Sequence, residues 1–196
     1  DALSAVPIEW RKVDGIWEKR RNTKEALAVG NLLFEILKES GDTKSIGVIT
    51  FNTTQQSEVL DQIDKRKGED PEFNALISRA LNPENGNKDS ALFVKNIENV
   101  QGDERDIIIF SIGYAPDPTG RVYSRFGTLN KEGGDNRLNV AVSRAKQKIY
   151  VLSSVEPDQL SVSTSQNRGP RLLKNYLEYA RAVSARVPEQ AKAILR

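Results

Sequence analysis

The sequence predicts an α/β fold in which a parallel sheet has helices packed on both of its faces. Short apolar runs rich in β-branched residues have the length and composition of buried strands, as in SIGVITF at 45–51 and DIIIFSIGY at 106–114. Amphipathic segments with apolar residues at helical spacing lie between these runs. Parallel strands need crossover connections, which these intervening helices supply.

The first half of the chain is predicted to contain an extended segment, one strand and three helices. They lie, in order, at 7–15 (extended), 22–40 (helix), 45–51 (strand), 52–66 (helix) and 71–81 (short helix). Asn22 or Thr23 can cap the first helix, and Glu25 lies in its first turn. The stretch at 65–90 is charged and rich in Asn, Gly and Pro, so we expect mobile loops around the short helix.

The second half is predicted to alternate strands and helices around one long loop. The elements lie at 91–97 (strand), 106–114 (strand), 115–135 (loop), 137–146 (helix), 148–154 (strand) and 168–187 (helix). A loop of this length in a compact domain is usually functional or disordered.

The chain is predicted to divide into a domain at 1–159 and a C-terminal helical extension at 160–196. The extension has an apolar stripe at helical spacing, formed by Leu172, Leu173, Tyr176 and Tyr179 or Ala180. We expect this stripe to dock on the domain or on a following domain, and the domain to fold without it.

Composition excludes several kinds of chemistry. The 196 residues include 29 basic and 27 acidic side chains, for a net charge of +2, so any basic surface for nucleic acid must be local. There is no cysteine and no histidine. Disulfides and thiolate metal sites are therefore excluded, the commonest general base is missing, and we predict no metal site.

Features at the level of the whole chain predict a cytoplasmic fragment of a longer protein. No methionine is present, so the chain has no start residue. No signal peptide is recognisable and no apolar stretch approaches the length of a membrane span.

Two short segments resemble nucleotide-binding motifs only superficially. GDTKS at 41–45 has Thr43 where a phosphate loop requires its second glycine, and it precedes a strand instead of following one. GDERD at 102–106 contains an acidic pair, but the apolar run follows that pair, whereas a Walker B motif closes a strand. We conclude that the chain has no phosphate loop of its own.

Two arginines stand seven residues apart in the segment DNRLNVAVSRAKQKIYVL. Seven residues are close to two helical turns, so Arg137 and Arg144 are expected on one helix face, roughly 10 Å apart along the axis. Ala141 adds no bulk between them, and a neighbouring apolar stripe can face the sheet. That stripe consists of Leu138, Val142, Ala145 and Ile149. Guanidinium groups match phosphate geometry, but the spacing alone favours an ordinary solvated helix.

A polar turn between two predicted strands strengthens the functional interpretation. Gln101, Gly102 and Glu104 follow the strand at 91–97, and ligands of parallel α/β folds bind at strand ends. Gln101 and Glu104 could hydrogen-bond a sugar or a base edge, and Lys95 and Asn96 could contact phosphates. The ordinary alternative is a solvated loop, with Glu104, Arg105 and Asp106 in water.

Three segments together resemble motifs IV, V and VI of superfamily-1 helicases, in that order. They are SIGVITFNTTQQ, VKNIENVQGDERDIIIFSIGY and NRLNVAVSRAK. The resemblance covers about 46–153 and implies the second RecA-like motor domain, a P-loop NTPase fold without a phosphate loop. It is greatest to the group of the nonsense-mediated-decay helicase and to large bacterial multidomain helicases.

The resemblance implies roles for individual residues. Arg144 matches the motif VI arginine that reaches the γ-phosphate across the domain cleft, and Arg137 matches the leading arginine of that motif. Gln101, Gly102 and Glu104 match the motif V positions that bind the nucleotide or couple it to nucleic acid.

Three further positions match contacts to the nucleic acid. Thr50 and Asn52 stand at motif IV, and Asn96 stands where many relatives have Ser or Thr against the strand's phosphates. The tyrosine–arginine–methionine motif of the family is missing from the start of this domain, as are the Walker motifs of the first motor domain.

The resemblance implies half of an ATP-dependent helicase or translocase. ATP and Mg²⁺ are expected to bind mainly to the first RecA-like domain of the same polypeptide, and the isolated chain should hydrolyse no ATP. The partner is single-stranded nucleic acid, and the bacterial relatives favour DNA over RNA. The alternative is a degenerate RecA-like module that binds nucleic acid or serves as a scaffold. A complete small enzyme is disfavoured by the missing phosphate loop, histidine and cysteine.

Overall fold

A computed structural model describes residues 6–41, 43–83, 88–123, 125–163 and 165–195. Its centre is a sheet of five strands in the order β1-β5-β4-β2-β3, and every neighbouring pair is parallel. The strands are β1 (Ile8–Lys12), β2 (Ile46–Thr50), β3 (Phe93–Asn96), β4 (Arg105–Ser111) and β5 (Ala145–Ser153). All five begin at one end of the sheet, the amino end, and finish at the other, the carboxyl end.

Helices cover both faces of this sheet. They are α1 (Thr23–Ser40), α2 (Thr53–Glu69), α3 (Pro71–Leu81), α4 (Gly134–Val142) and α5 (Gly169–Ser184), and the short helix α6 (Pro188–Ile194) packs on α5. Side chains of a strand alternate between faces, so Ile107 and Ile109 pack with α1, α2 and α3, whereas Ile108 and Phe110 pack with α4 and α5. The predicted α/β fold with a parallel sheet and helices on both faces is confirmed.

The first helix forms where its cap and apolar stripe predict it. The side chain of Asn22 accepts a hydrogen bond from the Glu25 amide at 3.1 Å, which satisfies one of the free donors of the first turn. Ala26, Val29 and Leu33 then face the sheet and are fully buried. The extended segment at 7–15 includes β1, which pairs with β5 at the border of the sheet.

The structure has α4 at Gly134–Val142, so this helix is shorter and begins earlier than the helix predicted at 137–146. It begins at Gly134, where Gly133 has a left-handed backbone (φ 73°) and a side chain on Gly134 would collide with the Leu129 carbonyl. It ends at Val142, because Ala145 already pairs with Arg105 in the sheet. Pairing with β4 therefore overrides helical spacing, and the expectation that Arg137 and Arg144 share one helix is wrong.

The apolar stripe of α5 docks on the sheet domain, which is one of the two docking surfaces that the sequence leaves open. Leu173, Leu177 and Ala180 are fully buried in the core that also contains Phe110 of β4. At the far end of α5 the hydroxyl of Ser184 accepts a hydrogen bond from the Trp10 amide of β1 at 2.9 Å. The boundary at 159/160 stays a prediction, but this packing leads us to expect that removal of α5 would expose the core instead of leaving a folded domain.

Candidate functional site

The two segments that resemble motifs V and VI meet at the amino end of the sheet. The Arg105 amide donates a hydrogen bond to the Arg144 carbonyl at 3.0 Å, and the next residues, Arg105 and Ala145, pair across β4 and β5. The turn at 101–104 immediately precedes β4, and Arg144 immediately precedes β5. The structure therefore places Glu104 next to Arg144.

The Arg144 side chain is folded back onto the end of α4. Its Nε donates to the Val140 carbonyl at 3.0 Å and its Nη2 donates to the Ser143 hydroxyl at 3.0 Å. Its Nη1 lies 3.9 Å from Oε1 of Glu104, whose side chain is 54% exposed. Such a long pair with a solvated carboxylate contributes little stability, so the guanidinium is held mainly by the helix terminus.

Arg137 points to a different part of the domain. Its Nη1 donates to the carbonyls of Glu132 at 3.1 Å and Thr128 at 3.4 Å. Both carbonyls belong to the segment that leads into α4. These bonds fix the approach to the helix, and none of them involves the turn that contacts Arg144.

The turn at 101–104, which we name the motif V turn after the segment it resembles, is exposed at its tip and fixed at its base. Gly102 has a left-handed backbone (φ 83°), and Gln101, Gly102 and Glu104 are exposed. Asp103 accepts a 2.8 Å hydrogen bond from the Lys95 ammonium, which ties the turn to β3. Lys95 thus has an acidic partner within the fold.

The predicted position of this turn at the carboxyl end of a strand is wrong. After β3 ends at Asn96, the chain crosses the sheet with Ile97 and Val100 buried in the core, and it reaches the amino end before Gln101. The candidate nucleotide residues therefore lie at the amino end, and the candidate nucleic-acid residues lie at the carboxyl end.

Two of the three candidate nucleic-acid residues are buried. Thr50 is 0% exposed, and its hydroxyl donates to the Asn52 carbonyl at 3.1 Å. Asn96 is 2% exposed and caps the short 3₁₀ helix at Ile97–Asn99. Asn52 is partly exposed and caps α2 through a 2.8 Å bond from the Gln55 amide. Thr50 and Asn96 support the carboxyl end, and Asn52 is the one of the three that reaches solvent.

Sequence reasoning missed Arg105, which it treated as solvated. The side chain is 5% exposed, and its guanidinium carbon lies 4.9 Å from the centroid of the Phe93 ring. Its Nε donates to the Ala91 carbonyl at 3.0 Å and its Nη1 donates to the Glu104 carbonyl at 2.8 Å. Burial lowers the pKa of Arg105. Arg105 therefore clamps the motif V turn to the start of β3.

A buried polar cluster at the carboxyl end was also missed. The carboxylate of Glu25 is fully buried and accepts hydrogen bonds from four donors. They are the Gly113 amide at 2.7 Å, the Ser111 hydroxyl at 2.8 Å, the Ser154 hydroxyl at 2.9 Å and the Asn22 side-chain amide at 3.1 Å. Burial raises the pKa of Glu25 to about 7, although the donated hydrogen bonds oppose that rise. The sequence signalled only the local pair of Asn22 and Glu25 at the start of a helix.

The arrangement of the sheet and helices defines the class of the protein as an α/β domain of the RecA-like kind. Residues 8–156 match the family model described as AAA domain, and the chain belongs to that family. It is 40% identical over 173 residues to a protein of Mycoplasma genitalium named uncharacterized ATP-dependent helicase MG140. The homolog of that protein in Mycoplasma pneumoniae is also 40% identical over 173 residues.

These matches cover 88% of the chain but only 15% of each relative. The chain is therefore a helicase-like AAA domain that spans a small part of the length of the curated relatives it matches. Within the described ranges, no helix is long and apolar enough to cross a membrane. The same part of the chain contains no group of three or more His, Cys, Asp or Glu residues that could hold a metal ion.

Proposed function

We propose that the chain is the second motor domain of an ATP-dependent helicase or translocase. The observation that supports this most directly is the meeting of motifs V and VI, through the bond between Arg105 and Arg144 and the proximity of Glu104 to Arg144. The names of the two relatives agree with ATP use and with a nucleic-acid substrate. DNA is the favoured substrate, by analogy with bacterial multidomain helicases.

Arg144 acts as an arginine finger in this proposal. Its guanidinium neutralises charge on the γ-phosphoryl group, which is held by the phosphate loop and Mg²⁺ of the first motor domain. The weak 3.9 Å contact with exposed Glu104 does not prevent this, because a phosphate offers a more highly charged, bidentate partner. ATP supplies the hydrolysable phosphoanhydride, and this chain supplies the positive charge.

The motif V turn contacts the nucleoside side of the same nucleotide. Gln101 and Glu104 are exposed, Glu104 lies beside Arg144, and both side chains have acceptors for sugar hydroxyls or for an amino group of the base. Gly102 permits the left-handed turn that presents them. The buried side chain of Arg105 holds this turn in place, so Arg105 positions Gln101 and Glu104 and does not itself contact the nucleotide.

The single strand lies along the carboxyl end of the sheet. Asn52 contacts it directly, while Thr50 and Asn96 hold the surrounding backbone. Arg137 orients α4 through its bonds to the Thr128 and Glu132 carbonyls. Contacts to phosphates dominate, so little base specificity is expected.

ATP hydrolysis in the presence and absence of single strands tests this proposal. The isolated chain should hydrolyse no ATP, and a polypeptide that joins it to a first motor domain should hydrolyse ATP faster when single strands are added. If the joined polypeptide binds single strands and ATP but shows no turnover, the chain is a nucleic-acid-binding scaffold. If the isolated chain hydrolyses ATP and the Arg144→Ala variant does not, the proposal that ATP binds mainly to a first motor domain is refuted.

A further inference from the structure

An aromatic side chain contacts two arginines on the long loop that follows β4. Arg121 and Arg125 are exposed, and Tyr123 is partly buried. The guanidinium carbon of Arg121 is 4.9 Å from the centroid of the Tyr123 ring, and that of Arg125 is 5.6 Å from it. Phenol rings and guanidinium planes are both surfaces on which nucleobases stack.

This loop is held by its own contacts. At its base, the buried rings of Tyr114 and Phe126 meet edge to face with centroids 5.7 Å apart. Near its tip, Oδ1 of Asp117 accepts hydrogen bonds from the Thr119 amide at 2.8 Å, the Thr119 hydroxyl at 2.6 Å and the Arg121 amide at 3.0 Å. The tip is therefore preorganised, so binding through it loses little conformational entropy.

A second basic turn lies after β1. Lys19 and Arg20 are exposed and both have left-handed backbones, with φ of 51° and 66°. The amides and carbonyls of Glu18 and Arg21 exchange hydrogen bonds of 3.1 Å around them. Turns of this shape usually contain Asn or Gly, because a side chain at a left-handed position is strained. Strain of this kind is concentrated at functional sites.

The two basic segments lie side by side at the carboxyl end of the sheet. The Trp17 amide donates a 2.8 Å hydrogen bond to the Pro116 carbonyl, and this bond joins the turn after β1 to the loop after β4. Pro118 lines the same cleft of about 520 Å³ as Lys19 and Lys24. We name the surface formed by Lys19, Arg20, Arg121, Tyr123 and Arg125 the basic rim.

Neighbouring cations contribute less to this surface. Arg21 is paired with buried Glu58 at 2.8 Å, and Lys24 lies 3.6 Å from Asp14. The basic rim thus contributes four arginine and lysine side chains on a chain whose net charge is only +2, and the carboxylates of Glu18 and Asp61 line the adjoining cleft. A local surface is what a nearly neutral domain needs to bind a polyanion.

We propose that the basic rim binds single-stranded nucleic acid, with Lys19 and Arg20 on phosphates and an unpaired base stacked on Tyr123 and its arginines. This proposal rests on the proposed function. It extends the surface that binds the nucleic acid from Asn52, which follows β2, to the segments that follow β4 and β1. A duplex would engage the charges but not the ring, because its bases are already stacked. An acidic protein surface would likewise leave the ring unused.

Fluorescence anisotropy with labelled single strands of about 20 nucleotides, long enough for one site, tests the proposal in the 196-residue chain. Tyr123→Ala should weaken binding about tenfold, the scale of one lost stack, whereas Tyr123→Phe keeps the ring and should bind normally. The double variants Lys19→Ala/Arg20→Ala and Arg121→Ala/Arg125→Ala should each weaken binding. Each lost phosphate contact should reduce the salt slope by about 0.7.

The matched control removes two exposed lysines that lie elsewhere. Lys65 is on α2 and Lys192 is on α6, and the Lys65→Ala/Lys192→Ala variant should bind within about twofold of the parent chain, since a distant charge is largely screened. Circular dichroism before titration identifies any variant that has not folded. If Tyr123→Ala fails to fold, Tyr123→Leu replaces it, because leucine fills similar space without an aromatic face. Weaker binding by Tyr123→Leu beside normal binding by Tyr123→Phe supports stacking, and equal binding by the two variants contradicts it.

The outcomes separate this proposal from the proposed function. If the parent chain binds single strands and all basic-rim variants bind equally well, the basic rim is refuted and strand binding elsewhere stands. If the charge variants weaken binding but Tyr123→Ala does not, and a duplex binds equally tightly, a single-strand site is refuted. If the parent chain binds no single strand at low salt, both proposals fail.

Discussion

The main-chain amide of Arg105 donates a hydrogen bond to the main-chain carbonyl of Arg144 at 3.0 Å, which locks the first residue of β4 to the residue before β5. Because this bond involves only backbone atoms, it survives replacement of the Arg144 side chain. Side-chain variants at this position therefore report on the guanidinium and leave the sheet register intact.

Arg144→Ala should lower kcat for ATP hydrolysis by about 10³-fold or more in a polypeptide that includes a first motor domain. Nucleotide affinity should change little, because the phosphate loop is on the other domain. Arg144→Lys should restore little activity, since one ammonium does not reproduce the guanidinium fork. Steady-state hydrolysis with saturating single strands and equilibrium nucleotide binding measure the two effects.

Arg171→Ala provides a matched control, because Arg171 is an exposed arginine on α5. It should leave kcat unchanged. Near-normal kcat in Arg144→Ala would show that the finger is another residue, and Arg137→Ala would then be the next variant to measure.

Glu25→Gln should remove a pH dependence of stability. Burial raises the pKa of Glu25 to about 7 in the folded state from an ordinary value of 4.5, so the folded state binds this proton more tightly than the unfolded state. The stabilisation is complete below pH 4.5 and is lost as the pH rises through 7. The loss corresponds to about 3 kcal/mol, at 1.36 kcal/mol per unit of pKa.

Urea unfolding between about pH 5 and pH 8 measures this dependence. The free energy of unfolding of Glu25→Gln should rise relative to the parent chain as the pH increases. Glu39→Gln, an exposed change on the same helix, controls for the loss of one negative charge. A constant difference between Glu25→Gln and the parent chain at all pH values would show that Glu25 does not titrate in this range.

Arg20→Gly should stabilise the protein by about 1 kcal/mol, because glycine adopts the left-handed backbone without the clash of a Cβ atom. Arg20→Ala loses the same charge but keeps the Cβ atom, so it should not be stabilised. The difference between these variants in urea unfolding isolates the strain. Equal stabilities would mean that the turn is not strained.

Leu173→Ala should destabilise the protein by about 2–5 kcal/mol, since Leu173 is fully buried between α5 and the sheet. Leu195→Ala should change stability by less than about 0.5 kcal/mol, because Leu195 is 71% exposed. Thermal or urea unfolding compares the two leucines directly. A small effect at Leu173 would support the original expectation that the domain folds without residues 160–196.

Local sequence patterns were sufficient to predict β2, β3, β4 and β5 of the described sheet, and to predict β1 as an extended segment. The run from Ile107 to Phe110 is apolar on both faces, a pattern typical of a central strand that is buried on both sides. The first helix was predicted from its cap and stripe, and the docking of α5 from its apolar spacing. Each of these features is determined within one segment, so no knowledge of the rest of the fold is needed.

Features that depend on distant segments were missed or misplaced. The end of α4 depends on pairing between Ala145 and Arg105, and the burial of Arg105 depends on Phe93. The partners of Glu25 come from the ends of β4 and β5. The left-handed turn at Lys19 and Arg20 has no turn residue, so composition gives no indication of it.

The position of β1 determines when the sheet can be completed. Ile8 pairs with Ile149, so the strand at the start of the chain has no partner until β5 has been synthesised. Contacts between segments so far apart form late, because a long loop must close first. During that interval the apolar face of β1, formed by Ile8 and Trp10, lacks the cover of β5 and α5, and an unpaired strand edge is prone to pair with other chains. Until β1 docks, the unfinished edge of β5 and the apolar face of β1 expose the folding domain to aggregation.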